Sequence, residues 1–247
     1  MTIERESSYL PGEQETPTAS KAVGFFRAMG AVVWKDLSAE LRSRELLSAM
    51  LIFALLVILI FNFALDLDPA TRREPTITAG VLWVIFVFAG TLGLNRSMAI
   101  EKDRGCLDGL LLAPVDRSAI YFGKALGNLV FMLMVEFIVL PIYSLLYNVN
   151  LFNPGLLLVI LLGSIGYVAV GTLLATMAVQ ARTRDILLPI LLFPVVLPVI
   201  LAAVKASTGF LDGSEMEVIR PWINLLIAYD IIFSAVAFMV FDYVVEE

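Results

Sequence analysis

The chain has 247 residues, of which 60% are hydrophobic and 16% charged, with a formal net charge of −6 and a mean hydropathy of +0.89. Soluble domains run at roughly 45–50% apolar and about 25% charged, so the composition sets a soluble domain aside and points to a membrane protein. No histidine is present, which removes the commonest metal and haem ligand and the commonest general base; the single cysteine, Cys106, cannot close an internal disulfide; and no basic tract suggests nucleic acid.

The first twenty residues, MTIERESSYLPGEQETPTAS, are polar and rich in Glu, Ser, Thr and Pro, a composition expected to stay disordered. They lack a basic region followed by a short apolar run, so no cleaved signal peptide is read. Residues 21–45 follow as KAVGFFRAMGAVVWKDLSAELRSRE. Phe26, Met29, Val33, Leu37 and Leu41 recur near the helical period, while Arg27, Lys35, Asp36 and Glu40 fall elsewhere on the wheel. Trp34 suits a headgroup boundary. The pattern predicts a cytoplasmic amphipathic helix, either lying along the inner membrane face or packed on another subunit.

A helix needs about 20 apolar residues to cross the hydrocarbon core. Six stretches within residues 46–247 qualify: Leu46–Leu65, Ala79–Ala99, Ala125–Leu146, Gly155–Val179, Ile186–Val204 and Ile223–Val240. Pro189, Pro194 and Pro198 predict a kinked or broken helix in the fifth. With both termini in the cytoplasm, the inside holds Arg5, Lys21, Arg27, Lys35, Arg42, Arg44, Arg96, Lys102, Arg104, Arg117, Lys124, Arg182 and Arg184. The outside holds only Arg72, Arg73, Lys205 and Arg220. That bias fixes the orientation and puts the 100–124 connection in the cytoplasm. Arg96 is expected to snorkel to that surface, and Lys124 to anchor the start of the third span.

The connection reads RGCLDGLLLAPVDRSAIYFGK from Arg104 to Lys124. Leu107, Leu110 and Leu111 share one face of a helical turn, Asp103 suits its N-terminus, and Pro114 stops it. Asp116 then reads as the N-cap of a helix running into the third span. The leucine face needs cover, from this chain's own helices, from lipid, or from a separate cytoplasmic protein. No phosphate cradle of the form G-x-x-x-x-G-K-[ST] exists: in FGKALG the Gly123–Lys124 pair is followed by Ala. No C-x-x-C-H haem-attachment motif occurs, and the nine methionines read as packing.

Two carboxylates remain. Glu136, inside NLVFMLMVEFIVLPIYSLLY, sits near mid-membrane, where an ionisable group is costly and faces a bundle interior or a partner. It is either a cavity or proton-sensitive residue, or hydrogen-bonded helix glue. Asp230 is read at the beginning of the sixth span, near the outer boundary or just inside it, and TGFLDGSEMEVIRPW before it as a short interfacial helix or an anchoring loop.

The segment EKDRGCLDGLLLAPVDRSAIYFGKALGN resembles the loop of type-2 ABC permeases: a basic residue, Gly, a small residue, Leu, an acidic residue, Leu-Leu, a small residue and Pro. Together with WKDLSAELRSRE and the tail LLIAYDIIFSAVAFMVFDYVVEE, it resembles the haem exporter protein B family over roughly residues 22–247. Asp108-Gly109 departs from that family's usual Glu plus polar residue and weakens the turn by up to ~1 kcal/mol. The resemblance implies an all-α integral membrane protein, with an interfacial helix and six transmembrane helices like a type-2 ABC exporter permease. It further implies an inner-membrane permease subunit, not itself an enzyme, for cytochrome c biogenesis. A cytoplasmic ABC ATPase subunit would hold the ATP. A membrane haem-handling subunit would be a second partner, and haem, or a haem-loaded chaperone, the cargo. Arg104, Gly105, Leu107, Asp108, Leu110, Leu111 and Pro114 would form the contact with the ATPase. Pairing of two six-span units as a homodimer fits the same reading. A type-2 permease for a lipid, glycan or drug, and a scaffold or secondary transporter without an ATPase, remain open.

Overall fold

A computed structural model describes residues 17–64, 74–103, 117–179 and 183–244. Within them the chain forms seven helices and no strand: α1 (Pro17–Ser43), α2 (Glu45–Ala64), α3 (Pro75–Asp103), α4 (Arg117–Tyr147), α5 (Pro154–Val179), α6 (Arg184–Asp212) and α7 (Met216–Val244). The last six are long and apolar enough to cross a membrane, and each holds one expected stretch, the first of them as far as Ala64, where the described residues stop. The chain is a multi-pass all-α membrane protein.

The bundle is built around α3 and α5. Inward burial takes 72% and 67% of their most apolar windows, against 22% for α2 and α7. Both are apolar all round, as a helix walled in by other helices must be. Helix α5 packs on α6, α7, α3 and α4, and α3 packs on α6, α2 and α5. The outer faces of the bundle carry Phe63, Phe137 and Leu145, each at least 75% exposed. In water such a belt would be an aggregation surface; here it is what lipid requires.

Glycines set the helix spacing in the core. A Cβ at Gly163 would lie 2.1 Å from the Trp83 ring, and one at Gly171 would lie 2.3 Å from a Leu94 methyl. Large side chains of α3 thus fill notches on α5, the packing that small residues allow in membranes. Buried polar groups pair between helices because no water reaches them. Trp83 Nε1 donates to Ser207 Oγ at 3.0 Å, Tyr167 hydroxyl to the Val87 carbonyl at 2.8 Å, and Tyr121 hydroxyl to the Ala169 carbonyl at 2.7 Å.

Two expectations change here. Helix α6 is not broken: it runs unbroken through Pro189, Pro194 and Pro198. Its neighbour is tied to this stretch, where the Tyr229 hydroxyl of α7 donates to the Val195 carbonyl at 2.9 Å. That carbonyl adjoins the one of Pro194, which Pro198 leaves without its helical donor. The TGFLDGSEMEVIRPW segment forms no separate element either. Helix α6 extends to Asp212, Gly213 ends it at φ 72°, and α7 begins at Met216. Only glycine takes that left-handed cap without strain.

Candidate functional site at the segment end of the bundle

The 104–116 segment, and with it Arg104, Gly105, Leu107, Asp108, Leu110, Leu111, Pro114 and the expected Asp116 cap, lies outside the described residues. Its two anchors do not: α3 ends at Asp103 and α4 begins at Arg117. The site is therefore built from the helix ends around it.

Helix α1 lies on α4, so it packs within this chain. Its buried face only borders its apolar stripe, from which Leu37 packs against the core. Val32 and Glu40 are buried and Asp36 nearly so, whereas Phe26, Trp34 and Leu41 are more than half exposed. At 3.6 residues per turn the two faces stand roughly a quarter turn apart. The helix thus has a polar-edged face on the bundle, an apolar face free for lipid, and a third side bearing Arg27 and Arg42.

The seat on α4 is GKALG. A Cβ at Gly123 would stand 2.8 Å from Val32 Cβ, and one at Gly127 would stand 3.5 Å from Asp36 Oδ2. Gly-x-x-x-Gly lets two helices approach closely, and here α1 occupies that groove. Lys124, between the two glycines, is not a surface anchor. Its side chain is 5% exposed, and its Nζ pairs with Asp36 Oδ2 at 2.7 Å and with Glu101 Oε1 of α3. Lys35 completes the cluster, pairing with Asp36 Oδ1 at 3.1 Å and with the same Glu101 oxygen. Two cations and two carboxylates from three helices close on one another. Burial alone would lower the Lys35 pKa, but the Glu101 and Asp36 carboxylates beside it hold it above the ordinary lysine value of 10.5. A cleft of about 180 Å³ opens beside the cluster, lined by Lys35, Glu40, Ser43, Ser97 and Phe131 among others.

The joint between α1 and α2 is short. Arg44 takes φ 53°, its N–H bonding the Glu40 carbonyl at 2.6 Å. Glu40 Oε1 accepts from the Leu47 N–H at 2.8 Å, a carboxylate on the open N-terminus of α2. The end of α3 then reaches its other neighbours. Arg96 pairs with Glu45 of α2, Asn95 donates to Asp185 of α6 at 3.0 Å, and Lys102 donates to the last carbonyl of α5, that of Val179, at 2.6 Å. Sequence reasoning missed this hub. Its signal was present in the Lys124 charge two turns inside a helix and in the Lys35–Asp36 pair in an otherwise apolar stretch.

Of the expected site residues, Glu136 is the one that lies among the described residues. It is buried between α4 and α5, where Ser164 Oγ donates to its Oε1 at 2.6 Å, and its Oε2 has no hydrogen-bond partner among the described residues. Asp230 lies at the middle of α7 and does not begin it, because α7 starts at Met216. Its carboxyl presses on α5, 2.4 Å from where a Cβ at Gly166 would be, and neither oxygen has a hydrogen-bond partner among the described residues. Ser164 and Gly166 point to opposite sides of α5, so the two carboxyls flank that helix at similar depth and do not face each other. No cluster of metal-ligating side chains occurs among the described residues.

Comparison with known proteins adds the following. The family model described as CcmB protein matches residues 27–245. Heme exporter protein B of Rhodobacter capsulatus is 26% identical over 193 residues, covering 77% of this chain and 87% of that protein. Heme exporter protein B of Pseudomonas aeruginosa is 24% identical over 188 residues (76% and 83%), and that of Paracoccus denitrificans 26% over 188 residues (76% and 85%).

Proposed function

We infer, from the fact that this chain belongs to the CcmB protein family, that it is the permease subunit of an ABC-type complex for cytochrome c maturation. Haem, or a haem-loaded chaperone, is its cargo. The observation that carries the reading is the family match across all six membrane helices, and the relatives' name, heme exporter protein B, points the same way. Because the sequence lacks a phosphate cradle, ATP is bound and hydrolysed by a separate cytoplasmic subunit, and a membrane haem-handling subunit is the second partner. The chain sits in the bacterial inner membrane with both termini cytoplasmic, as the distribution of Lys and Arg favours. Helix α1 lies in the inner interface, its exposed Phe26, Trp34 and Leu41 in the headgroup boundary.

Arg104, Gly105, Leu107, Asp108, Leu110, Leu111 and Pro114 form the contact with the ATPase subunit, the leucines supplying apolar burial and the charges fixing register. Glu136 is an intramembrane functional residue, and two copies of the chain pair across the membrane. Deletion of the chain followed by haem staining of c-type cytochromes tests the whole reading: staining should be lost, and normal staining would overturn the haem assignment. Loss of ATPase co-purification on Leu110→Asp with Leu111→Asp tests the contact.

A further inference from the structure

The cleft beside the ion-pair cluster has a charge imbalance of its own. Helix α1 contributes Lys35, Asp36 and Glu40 to its wall, α3 Glu101 and α4 Lys124. Among the described residues, three carboxylates thus meet two ammonium groups. The unmatched oxygen is on Glu101. Its Oε1 takes both lysines, whereas its Oε2 is buried without a hydrogen-bond partner among the described residues, on a side chain 8% exposed. A buried carboxylate oxygen without a donor is costly, so this wall suits a further cation. A group of the opposite kind borders the same space. The Lys35 side chain is 43% exposed, and of its three N–H donors Asp36 and Glu101 use two, which leaves the third for an anion. At about 180 Å³ the cleft has more than ten times the ~10–15 Å³ that one water needs, so it takes a group larger than a single ion.

The cleft also leads into lipid. Its apolar wall includes Leu46 of α2 and Phe131 of α4. Their sequence neighbours, Leu47 and Val130, begin an apolar groove of about 410 Å³ between the same two helices, which continues past Leu51 and Met134 to Phe137 and Ile138. From Val130 to Ile138 it follows α4 for about 12 Å. Phe137 is among the most exposed side chains of the bundle, so the groove lies on the lipid-facing surface. A carboxylate, an amine and an apolar trough therefore adjoin one another at the level where headgroup meets acyl chain.

We propose that the cleft and groove bind one phosphatidylethanolamine of the adjoining leaflet. Glu101 Oε2 takes the headgroup ammonium, Lys35 the phosphate, and the groove between α2 and α4 one acyl chain. An anionic phospholipid without the amine leaves Glu101 Oε2 without a donor and brings further negative charge to a wall that already has an excess, which sets the selectivity. The site goes beyond the permease reading and does not rest on it.

The test is native mass spectrometry of the full-length chain, delipidated in detergent and incubated with equimolar phosphatidylethanolamine and phosphatidylglycerol of matched acyl chains. Wild type should retain one phosphatidylethanolamine at about tenfold the occupancy of phosphatidylglycerol, the ratio that one charge-assisted hydrogen bond supports. Glu101→Gln should bring that ratio to within about twofold of one. Ser97, also on the cleft wall, supplies the second variant. Ser97→Phe fills the cleft with every residue of the ion-pair cluster in place, and should lower phosphatidylethanolamine occupancy about tenfold with an unchanged unfolding midpoint. Equal occupancy of the two lipids in wild type would mean lipid held only by the apolar belt and overturns the site. So does a preference that survives Ser97→Phe, which puts the selectivity elsewhere, and so does retention of neither lipid, which means that something else fills the cleft. If Glu101→Gln fails to accumulate, Ser97→Phe decides alone.

Discussion

Gly163→Ala is the sharpest probe of how the core is spaced. The new Cβ would lie 2.1 Å from Cη2 of Trp83 and within 3.0 Å of two more ring atoms. Trp83 cannot swing aside freely, because it is 1% exposed and its Nε1 is bonded to Ser207. Overpacking of this kind costs about 1–3 kcal/mol. Displacing the indole adds the loss of an interhelical hydrogen bond, on average about 0.6 kcal/mol in membrane bundles. Against this stands the helix propensity of alanine over glycine, about 1 kcal/mol. The net is a destabilisation of about 0.6–2.6 kcal/mol, a lowering of roughly 1–10 °C in the unfolding midpoint of a chain this size. Gly80→Ala is the control, since no atom lies within 4 Å of its added Cβ. It should leave the midpoint unchanged or raise it by the propensity term. The assay is thermal unfolding of the solubilised chain followed by tryptophan fluorescence, with Trp83→Phe tested alone and combined with Gly163→Ala. The smaller ring should recover part of the loss. Equal midpoints for Gly163→Ala and wild type would refute the account of α3 side chains filling notches on α5.

Tyr229→Phe removes the interhelical bond to the Val195 carbonyl, on average about 0.6 kcal/mol in membrane bundles, and should lower the midpoint by roughly 1–2 °C; an unchanged midpoint means that this bond does not help hold α7 on α6. Glu136→Gln keeps an oxygen for Ser164 and should fold like wild type, whereas Glu136→Leu strands that buried hydroxyl at about 1–3 kcal/mol. Wild-type cytochrome yield in Glu136→Gln would leave Glu136 only a packing role. The folded pKa of Lys35 is raised above 10.5, so its stabilising contribution is complete below that value and is lost as pH rises through the folded one. The unfolding midpoint should therefore show no loss from this group between neutrality and pH 10, and Lys35→Met should remove part of the fall seen above it; a Lys35-dependent loss near pH 8 would contradict the ion-pair geometry.

The spans were legible in the sequence because lipid thickness imposes a length on them, and each of the six observed helices holds the expected apolar stretch as far as the described residues reach. The start of α4 at Arg117 was legible too, since Asp116 was read as the N-cap of a helix running into the third span. What was not legible follows from the solvent. In water an apolar stripe reports which face of a helix is inside, whereas Phe26, Met29, Val33, Leu37 and Leu41 were read as facing the membrane or another subunit. In a bilayer the outside is apolar as well, so the stripe marks the lipid side as readily as the core. Helix α1 turns Phe26 and Leu41 outward and hides Asp36 and Glu40 against the bundle. The same inversion misplaced Lys124, which looked like a span's cytoplasmic anchor and is instead the most buried charge of a four-membered cluster. A lysine can be buried at a helix end only if carboxylates from elsewhere meet it, and no spacing within one helix announces partners that lie on two others. The glycines beside it carried the missing information. Gly123 and Gly127 mark the face of α4 where a second helix comes close, and a charge set between such glycines faces that helix and not the water.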